Sequence, residues 1–306
     1  MARLAFIFPG QGSQYPGMGK ELAENFKIVR ETFAEADDTL GFGLSRLCFE
    51  GPEEELKMTA NTQPAILTVS VAALRVLRAE TPLNAAYLAG HSLGEYSALV
   101  AGGALSFPDA LRTVRARGTY MQDAVPKGVG AMAAILGVEP DVLAGICREA
   151  EQGEVVAPAN FNSPGQIVIA GHAGAVARAI EIAKERGFRK AMLLPVSAPF
   201  HCSLMAPAGE RLAEVLEGIA VAPLETPVVT NVEATPNQDH ERIKELLVKQ
   251  VSSPVLWESS VLCMIEKGVE RFIEIGPGKV LSGLLKRIAK GADVTNVEDS
   301  TTLKAL

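Results

Sequence analysis

Leu88-Ala89-Gly90-His91-Ser92-Leu93-Gly94-Glu95-Tyr96-Ser97-Ala98-Leu99-Val100 sets a hydroxyl between two glycines, with apolar residues on either side. The residues before it, Ala85 to Ala89, read as a short buried strand. Those after it, Gly94 to Ala101, read as an apolar helix stopped by Gly102 and Gly103. Strand, G-x-S-x-G, helix is the form of a nucleophile elbow. The glycines permit a sharp turn, and the serine is lifted into a cleft at the helix N-terminus. The alternative is an ordinary N-cap, where serine is also favoured. Motifs this short recur by chance, so the rest of the chain has to decide.

Working outward, Arg3 to Phe8 reads as a buried first strand ending at Pro9-Gly10. Helical patterns follow at 17–40, 62–80 and 108–123, with Pro64 in a first turn, where proline is tolerated. Helices alternating with short apolar strands predict an α/β layer fold with a largely parallel sheet. After Pro126 the pattern changes. Strand-like Gly130–Val138, helical Pro140–Glu151, strands Val155–Ala159 and Gln166–Ala170, a helix at 173–187 and strand Arg189–Val196 give β-α-β-β-α-β, the ferredoxin-like order. The expected architecture is a larger α/β-hydrolase-like domain, 1–126 and 198–306, carrying an inserted ferredoxin-like domain at 127–197. The large domain resumes with a helix at 203–218, a strand at 226–230, helices at 240–250 and 258–267, strand Arg271–Ile275 and a helix at 279–290. A polar tail from about 293 is expected to be poorly ordered.

Composition narrows the class. In 306 residues, 48% are apolar and 21% charged, as in soluble globular chains. The apolar run Leu4–Phe8 is too short for a signal peptide, and none reaches the ~20 residues of a membrane span. Cys48, Cys147, Cys202 and Cys263 include no close pair, which fits neither zinc nor a disulfide framework. A cytoplasmic protein is expected. A net charge of −7 disfavours nucleic acid, and an acidic partner would need a local basic patch.

A serine nucleophile needs a base, and the chain holds four histidines: His91, His172, His201 and His240. A strained elbow turns His91 away from its neighbour, while His172 and His240 sit in surface-like contexts. His201, in Pro195-Val196-Ser197-Ala198-Pro199-Phe200-His201-Cys202, lies where the chain returns from the insertion and can overhang a cleft. A packed histidine ahead of the next helix is the alternative, and a Cys202–His201 pair is a weaker rival. No aspartate stands where it would orient the imidazole, so an acid, an amide or a backbone carbonyl remains open. Nucleotide motifs fail. Tyr15 occupies the third glycine of G-x-G-x-x-G after the first strand, and Gly19-Lys20 is followed by Glu21 rather than Ser or Thr. A tight loop after the first strand can instead offer N–H groups to an oxyanion. Arg117 sits on an otherwise apolar helix and could hold a carboxylate bidentately, but the sequence does not rank it above Arg112 and Arg115.

Taken together, these stretches resemble the malonyl-CoA:acyl carrier protein transacylase family over essentially the whole chain. The resemblance rests on Phe8-Pro9-Gly10-Gln11-Gly12-Ser13-Gln14, Thr62-Gln63-Pro64-Ala65, Gly90-His91-Ser92-Leu93-Gly94-Glu95 and Arg117-Gly118 with Met121-Gln122. It continues through Asn160 to Gln166, Ala198-Pro199-Phe200-His201, Asn231-Val232, Gln250 with Ser253-Pro254-Val255, and Glu274 to Gly278. It implies that Ser92 attacks the malonyl-CoA thioester and that His201 takes its proton. Gln250 would orient the imidazole through its backbone carbonyl, and the N–H groups of Gln11 and Leu93 would form the oxyanion hole. Arg117 would pair with the malonyl carboxylate. Phe200 resembles the bulky residue of malonyl-selective members, and His91 and Asn162 are further substrate-site positions. Cys202 departs from the serine common after the histidine.

The resemblance implies ping-pong transfer through a malonyl-serine ester to the phosphopantetheine thiol of acyl carrier protein. It implies no cofactor, no metal, no nucleic acid or membrane, and a monomer. A serine esterase or thioesterase, a trans-acting polyketide malonyltransferase and a non-catalytic docking module are the competing readings. Arg189 with Lys190, and Lys286, Arg287 and Lys290, are candidate docking patches for an acidic carrier protein, though such faces are more often merely solvated.

Overall fold

The computed structural model describes residues 3–196 and 198–306, so the predicted boundary at position 197 lies outside the described residues. The strands are β1 (Leu4–Phe8), β2 (Tyr87–Gly90), β3 (Gly130–Leu136), β4 (Val156–Ser163), β5 (Gln166–His172), β6 (Ala191–Leu193), β7 (Val228–Val229), β8 (Pro236–Asn237), β9 (Arg271–Ile275) and β10 (Asp293–Val297). They form two sheets in a mixed α/β fold.

The larger sheet runs β10-β9-β1-β2-β7-β8 and is parallel except for the β7–β8 pair. Its central strand β1 is apolar at every position because both faces are covered. Leu4, Phe6 and Phe8 join the main core, which includes the long helix Thr59–Glu80. Ala5 and Ile7 join a second core with Trp257, Val261 and Leu285. Phe8 stands opposite Gly90, so the loops after β1 and β2 emerge side by side at the carboxyl edge of the sheet. Open α/β sheets bind ligands at that edge.

The smaller sheet runs β4-β5-β3-β6 with every neighbouring pair antiparallel. Helices Pro140–Glu151 and Ala173–Glu185 cover one face and close a separate core around Ile135, Ile146, Ile169 and Ile180. The β-α-β-β-α-β succession is thus as the sequence predicts. Backbone bonds tie β4 of the smaller sheet to the loop ahead of helix Trp257–Glu266, whose Trp257 packs in the second core. Phe161 N–H donates to Val255 O at 2.9 Å, and Val255 N–H to Ala159 O at 2.9 Å.

Three expectations need correction. The segment from 293 is ordered: β10 pairs in parallel with β9, and helix Ser300–Lys304 starts at a capping box formed by Asp299 and Thr302. Polar composition misled there, because an edge strand needs few apolar residues. The helix expected over 17–40 is two, Lys20–Asn25 and Lys27–Leu40, broken where Phe26 turns extended (φ −122°, ψ 125°). Pro64 lies beyond the first turn of Thr59–Glu80. Proline cannot bond the carbonyl four residues back. That carbonyl, Ala60 O, instead accepts from Arg115 NH1 at 2.7 Å.

Candidate active site

Ser92 ends the turn between β2 and helix Gly94–Ala101 with a φ of 51°, in the left-handed region that favours glycine. Such a conformation costs about 1–3 kcal/mol and persists only where its surroundings hold it. Asn231, just after β7, does this. Its Oδ1 accepts from Ser92 N–H at 2.6 Å and its Nδ2 donates to Gly90 O at 2.6 Å, clamping both sides of the turn. The flanking glycines serve a different end from the one the motif suggests. A Cβ on Gly90 would lie 1.9 Å from Gly94 C, and one on Gly94 would lie 2.1 Å from Phe8 O. They let strand, helix and loop approach, while Ser92 itself takes the strained dihedral.

His201, also at positive φ (61°), sets Nε2 2.8 Å from Ser92 Oγ and Nδ1 2.9 Å from the backbone oxygen of Gln250. A carbonyl can only accept, so Nδ1 carries the proton and Nε2 is left bare towards the serine hydroxyl. Burial, reinforced by the charge of Arg117, pushes the His201 imidazolium pKa down to about 3. The ring is therefore neutral at pH 7 and able to receive a proton. The member that the sequence left open is a backbone carbonyl on helix Ile243–Ser252.

Arg117 is separated from its neighbours by the structure. Arg112 pairs with Asp109 at the surface, and Arg115 bonds Ala60 O and lies over the Phe42 ring. Arg117 is 1% exposed. Its NH1 donates to Gln63 Oε1 at 2.8 Å, and its NH2 donates to Gln250 Oε1 at 2.9 Å and to Ser92 Oγ at 3.1 Å. Its Nε has no protein partner among the described residues. Burial lowers the pKa of this guanidinium.

These groups border a cleft of about 110 Å³ that also touches Gln11, His91, Leu93 and Phe200. Water occupies about 30 Å³ in the liquid, so the cleft admits a small acyl group of a few heavy atoms. Gln11 follows β1 and Leu93 immediately precedes helix Gly94–Ala101. Neither N–H donates to a protein acceptor among the described residues. His91 turns from Ser92, as expected, and its Nε2 lies 2.8 Å from Asn162 Oδ1, with Trp257 beside the ring. Asn162 reaches the cleft border only through that contact. Cys202 is removed from contention as a nucleophile. Its buried thiol donates to Pro199 O at 3.1 Å, and burial pushes its pKa up to about 11.

The sequence reading gave no role to Gln63, Glu95 or Asn231. All three are polar residues in apolar or turn contexts, and their partners lie 54 to 155 positions away in the chain. Their only signal was membership of the quoted motif stretches.

Residues 5–303 match the acyl transferase domain family. The chain belongs to the acyl transferase family. The malonyl CoA-acyl carrier protein transacylase of Bacillus subtilis is 50% identical over 305 residues, covering 99% of this chain and 96% of the relative. Among solved structures, the malonyl CoA-acyl carrier protein transacylase of Coxiella burnetii superposes with a TM-score of 0.98 at 43% identity, covering 99% of this chain and 96% of that one. A malonyl-transacylase in complex with a type II PKS acyl-carrier protein superposes with a TM-score of 0.97 at 48% identity, covering 99% and 98%. The resemblance read from motifs thus extends over the whole acyltransferase chain. No helix among its described residues is long and apolar enough to cross a membrane.

Proposed function

We propose that this acyltransferase moves a malonyl group from malonyl-CoA to the phosphopantetheine thiol of acyl carrier protein through a malonyl-Ser92 ester. Ser92 Oγ attacks the thioester carbonyl as its proton passes to His201 Nε2, 2.8 Å away. The C–S bond then breaks and the CoA thiolate takes the proton from the imidazolium. In the second half the carrier thiol gives its proton to His201 and attacks the ester carbonyl, the acyl C–Oγ bond breaks, and the proton returns from His201 to Ser92 Oγ. The Gln250 carbonyl holds the imidazole tautomer, and the N–H groups of Gln11 and Leu93 receive the developing oxyanion. His91 and Phe200 shape the acyl pocket, with Asn162 fixing His91. The chemistry uses side chains and backbone of this chain, without cofactor or metal.

The observation that carries the reading is Arg117, a buried cation 3.1 Å from the nucleophile. A plain esterase has no use for a guanidinium there, whereas a malonyl carboxylate fits its planar fork. The names of the relatives point the same way. In the same reading the chain acts as a cytoplasmic monomer, and 127–197 is a ferredoxin-like insertion in an α/β-hydrolase-like body made of 1–126 and 198–306. The strand order of the smaller sheet supports that division. The carrier protein would meet Arg189 and Lys190, or a patch of Lys286 and Arg287 on helix Val280–Ile288 with Lys290 just beyond it, where Arg287 NH1 donates to Gln166 Oε1 at 2.5 Å.

Intact-protein mass spectrometry after brief mixing with malonyl-CoA tests the reading. A single malonyl adduct is expected on the native protein, discharged by carrier protein and absent from Ser92→Ala. Rapid release of free malonate without transfer would instead mark a hydrolase.

A further inference from the structure

Glu95 stands in the first turn of helix Gly94–Ala101, 2% exposed, and the proposed reaction makes no use of it. A buried carboxylate is costly unless it is paired. Yet Arg117, the nearest buried cation, does not touch it, because the Gln250 side chain lies between them. Gln250 Nε2 donates to Glu95 Oε2 at 2.8 Å and to Ser92 O at 3.0 Å, while Gln250 Oε1 accepts from Arg117 NH2 at 2.9 Å. A flipped amide would face oxygen with oxygen at two contacts and nitrogen with guanidinium at the third. The amide therefore has one sense, which Glu95 and the Ser92 carbonyl enforce, and that sense directs Arg117 towards Ser92.

We propose that Glu95 is a positioning residue and buried counter-charge for Arg117, aiming the guanidinium through the Gln250 amide and weakening its hold on an incoming acyl carboxylate. The inference rests on the assignment of Arg117 to that carboxylate. With Arg117 and Glu95 both charged, the pair is neutral. A substrate carboxylate brings an excess negative charge, which uptake of one proton by Glu95 removes.

Burial pushes the Glu95 pKa up to about 7, against the opposing pull of Asn231, Gln250 and Arg117. The titratable groups facing it are Arg117 from helix Phe107–Asp123 and Tyr96 on its own helix. Helix Ile243–Ser252 presents Gln250, and the loop after β7 presents Asn231 and Thr230, all neutral. The two hydrogen bonds across Gln250 place Glu95 roughly 10 Å from a carboxylate held on Arg117. At an effective dielectric of about 20, that repulsion is worth roughly ten-fold in affinity.

Glu95→Gln separates charge from shape, because both donors reaching Glu95, Asn231 N–H and Gln250 Nε2, meet the same oxygen, Oε2. An amide oxygen there keeps both bonds. Steady-state kinetics with malonyl-CoA and acetyl-CoA from pH 6 to 8.5 would be run on native protein, Glu95→Gln, Glu95→Asp and Arg117→Ala. In native protein the malonyl-CoA KM is expected to rise as pH passes upward through about 7, with kcat little changed. In Glu95→Gln it should be flat and roughly ten-fold lower at pH 8, while Glu95→Asp should keep a pH dependence. Acetyl-CoA should show none of this.

Calorimetry on the Ser92→Ala protein in buffers of different ionisation enthalpy gives a second reading that does not require the Glu95 variants to fold. Proton uptake is expected on binding malonyl-CoA and not acetyl-CoA. An unchanged malonyl KM profile in folded Glu95→Gln, or no malonyl-linked proton uptake, would overturn the role of Glu95. If Arg117→Ala kept the native preference for malonyl-CoA, the underlying assignment would fail instead.

Discussion

Replacing Asn231 with Ala removes the clamp on the strained serine without touching any group that meets substrate. The side chain supplies the acceptor for Ser92 N–H and the donor for Gly90 O, both at 2.6 Å. Truncation leaves a polar group unpaired on each side of the turn, at about 1–3 kcal/mol apiece when buried. The loss is partial for Ser92, whose surroundings are half-buried, so about 2–4 kcal/mol in all is expected. Part of it should appear as a lower unfolding free energy. The remainder should appear as relaxation of Ser92 from its φ of 51°, which moves Oγ from its place 2.8 Å from His201 Nε2. A misplacement of about 1 Å can cost on the order of 100-fold in rate. Urea unfolding gives the first part, and rapid-quench measurement of acyl-enzyme formation gives the second. Acylation should slow far more than malonyl-CoA binding weakens, because Arg117 and the cleft remain. Native acylation at unchanged stability would show that the elbow holds itself and that the clamp argument is wrong.

Other outcomes follow from the same geometry. Arg117→Ala should lose malonyl preference by about 2–5 kcal/mol, the typical cost of stripping the partner from a buried charge, measured as the change in the kcat/KM ratio of malonyl-CoA to acetyl-CoA. His201 should remain neutral in imidazole NMR spectra at pH 5, because its pKa is held near 3; imidazolium signals at that pH would contradict its burial. Since the folded state binds fewer protons at His201 than the unfolded chain, its contribution to stability is full above about 6.5 and is lost as pH falls towards about 3. Glu95 gives the opposite slope, lowering stability as pH rises from about 4.5 to about 7. Removing residues 293–306 should destabilise the protein and slow acylation, since Glu298 Oε2 accepts from Gly278 N–H at 2.9 Å beside the loop that carries Gln11; native melting and turnover in the truncated chain would argue otherwise.

Periodicity and punctuation made several elements legible, and some bounds agree to the residue: Gly94–Ala101, Pro140–Glu151 and Arg271–Ile275. Each is a run of local apolar pattern closed by Gly, Pro or a change of period. β10 escaped because Asp293–Val297 alternates weakly and owes its form to pairing with β9. At the site, the neighbourhood of Ser92 and His201 was readable because both sit in unusual local contexts. The polar web behind them was not. Gln63, Glu95 and Asn231 matter through partners brought close only by the tertiary fold, while the acceptor for His201, named at Gln250 through the family resemblance alone, is a main-chain atom that any residue at 250 would possess. The residues alone did not rank Arg117, which the resemblance picks, above Arg112 and Arg115, because that required knowing which side of the helix was covered.

The central strand of the larger sheet has a temporal consequence. β1 leaves a ribosome more than 260 residues before one of its two neighbours, β9. Until Arg271–Ile275 emerges, β1 can pair only with β2, and one of its edges stands open. The smaller sheet, with all four strands between Gly130 and Leu193, can close its own core well before that. Synthesis therefore delivers an early-folding lobe tethered to a sheet that waits for its far end. Competence for acyl transfer arrives only after β9 has joined β1, later than any residue of the site itself.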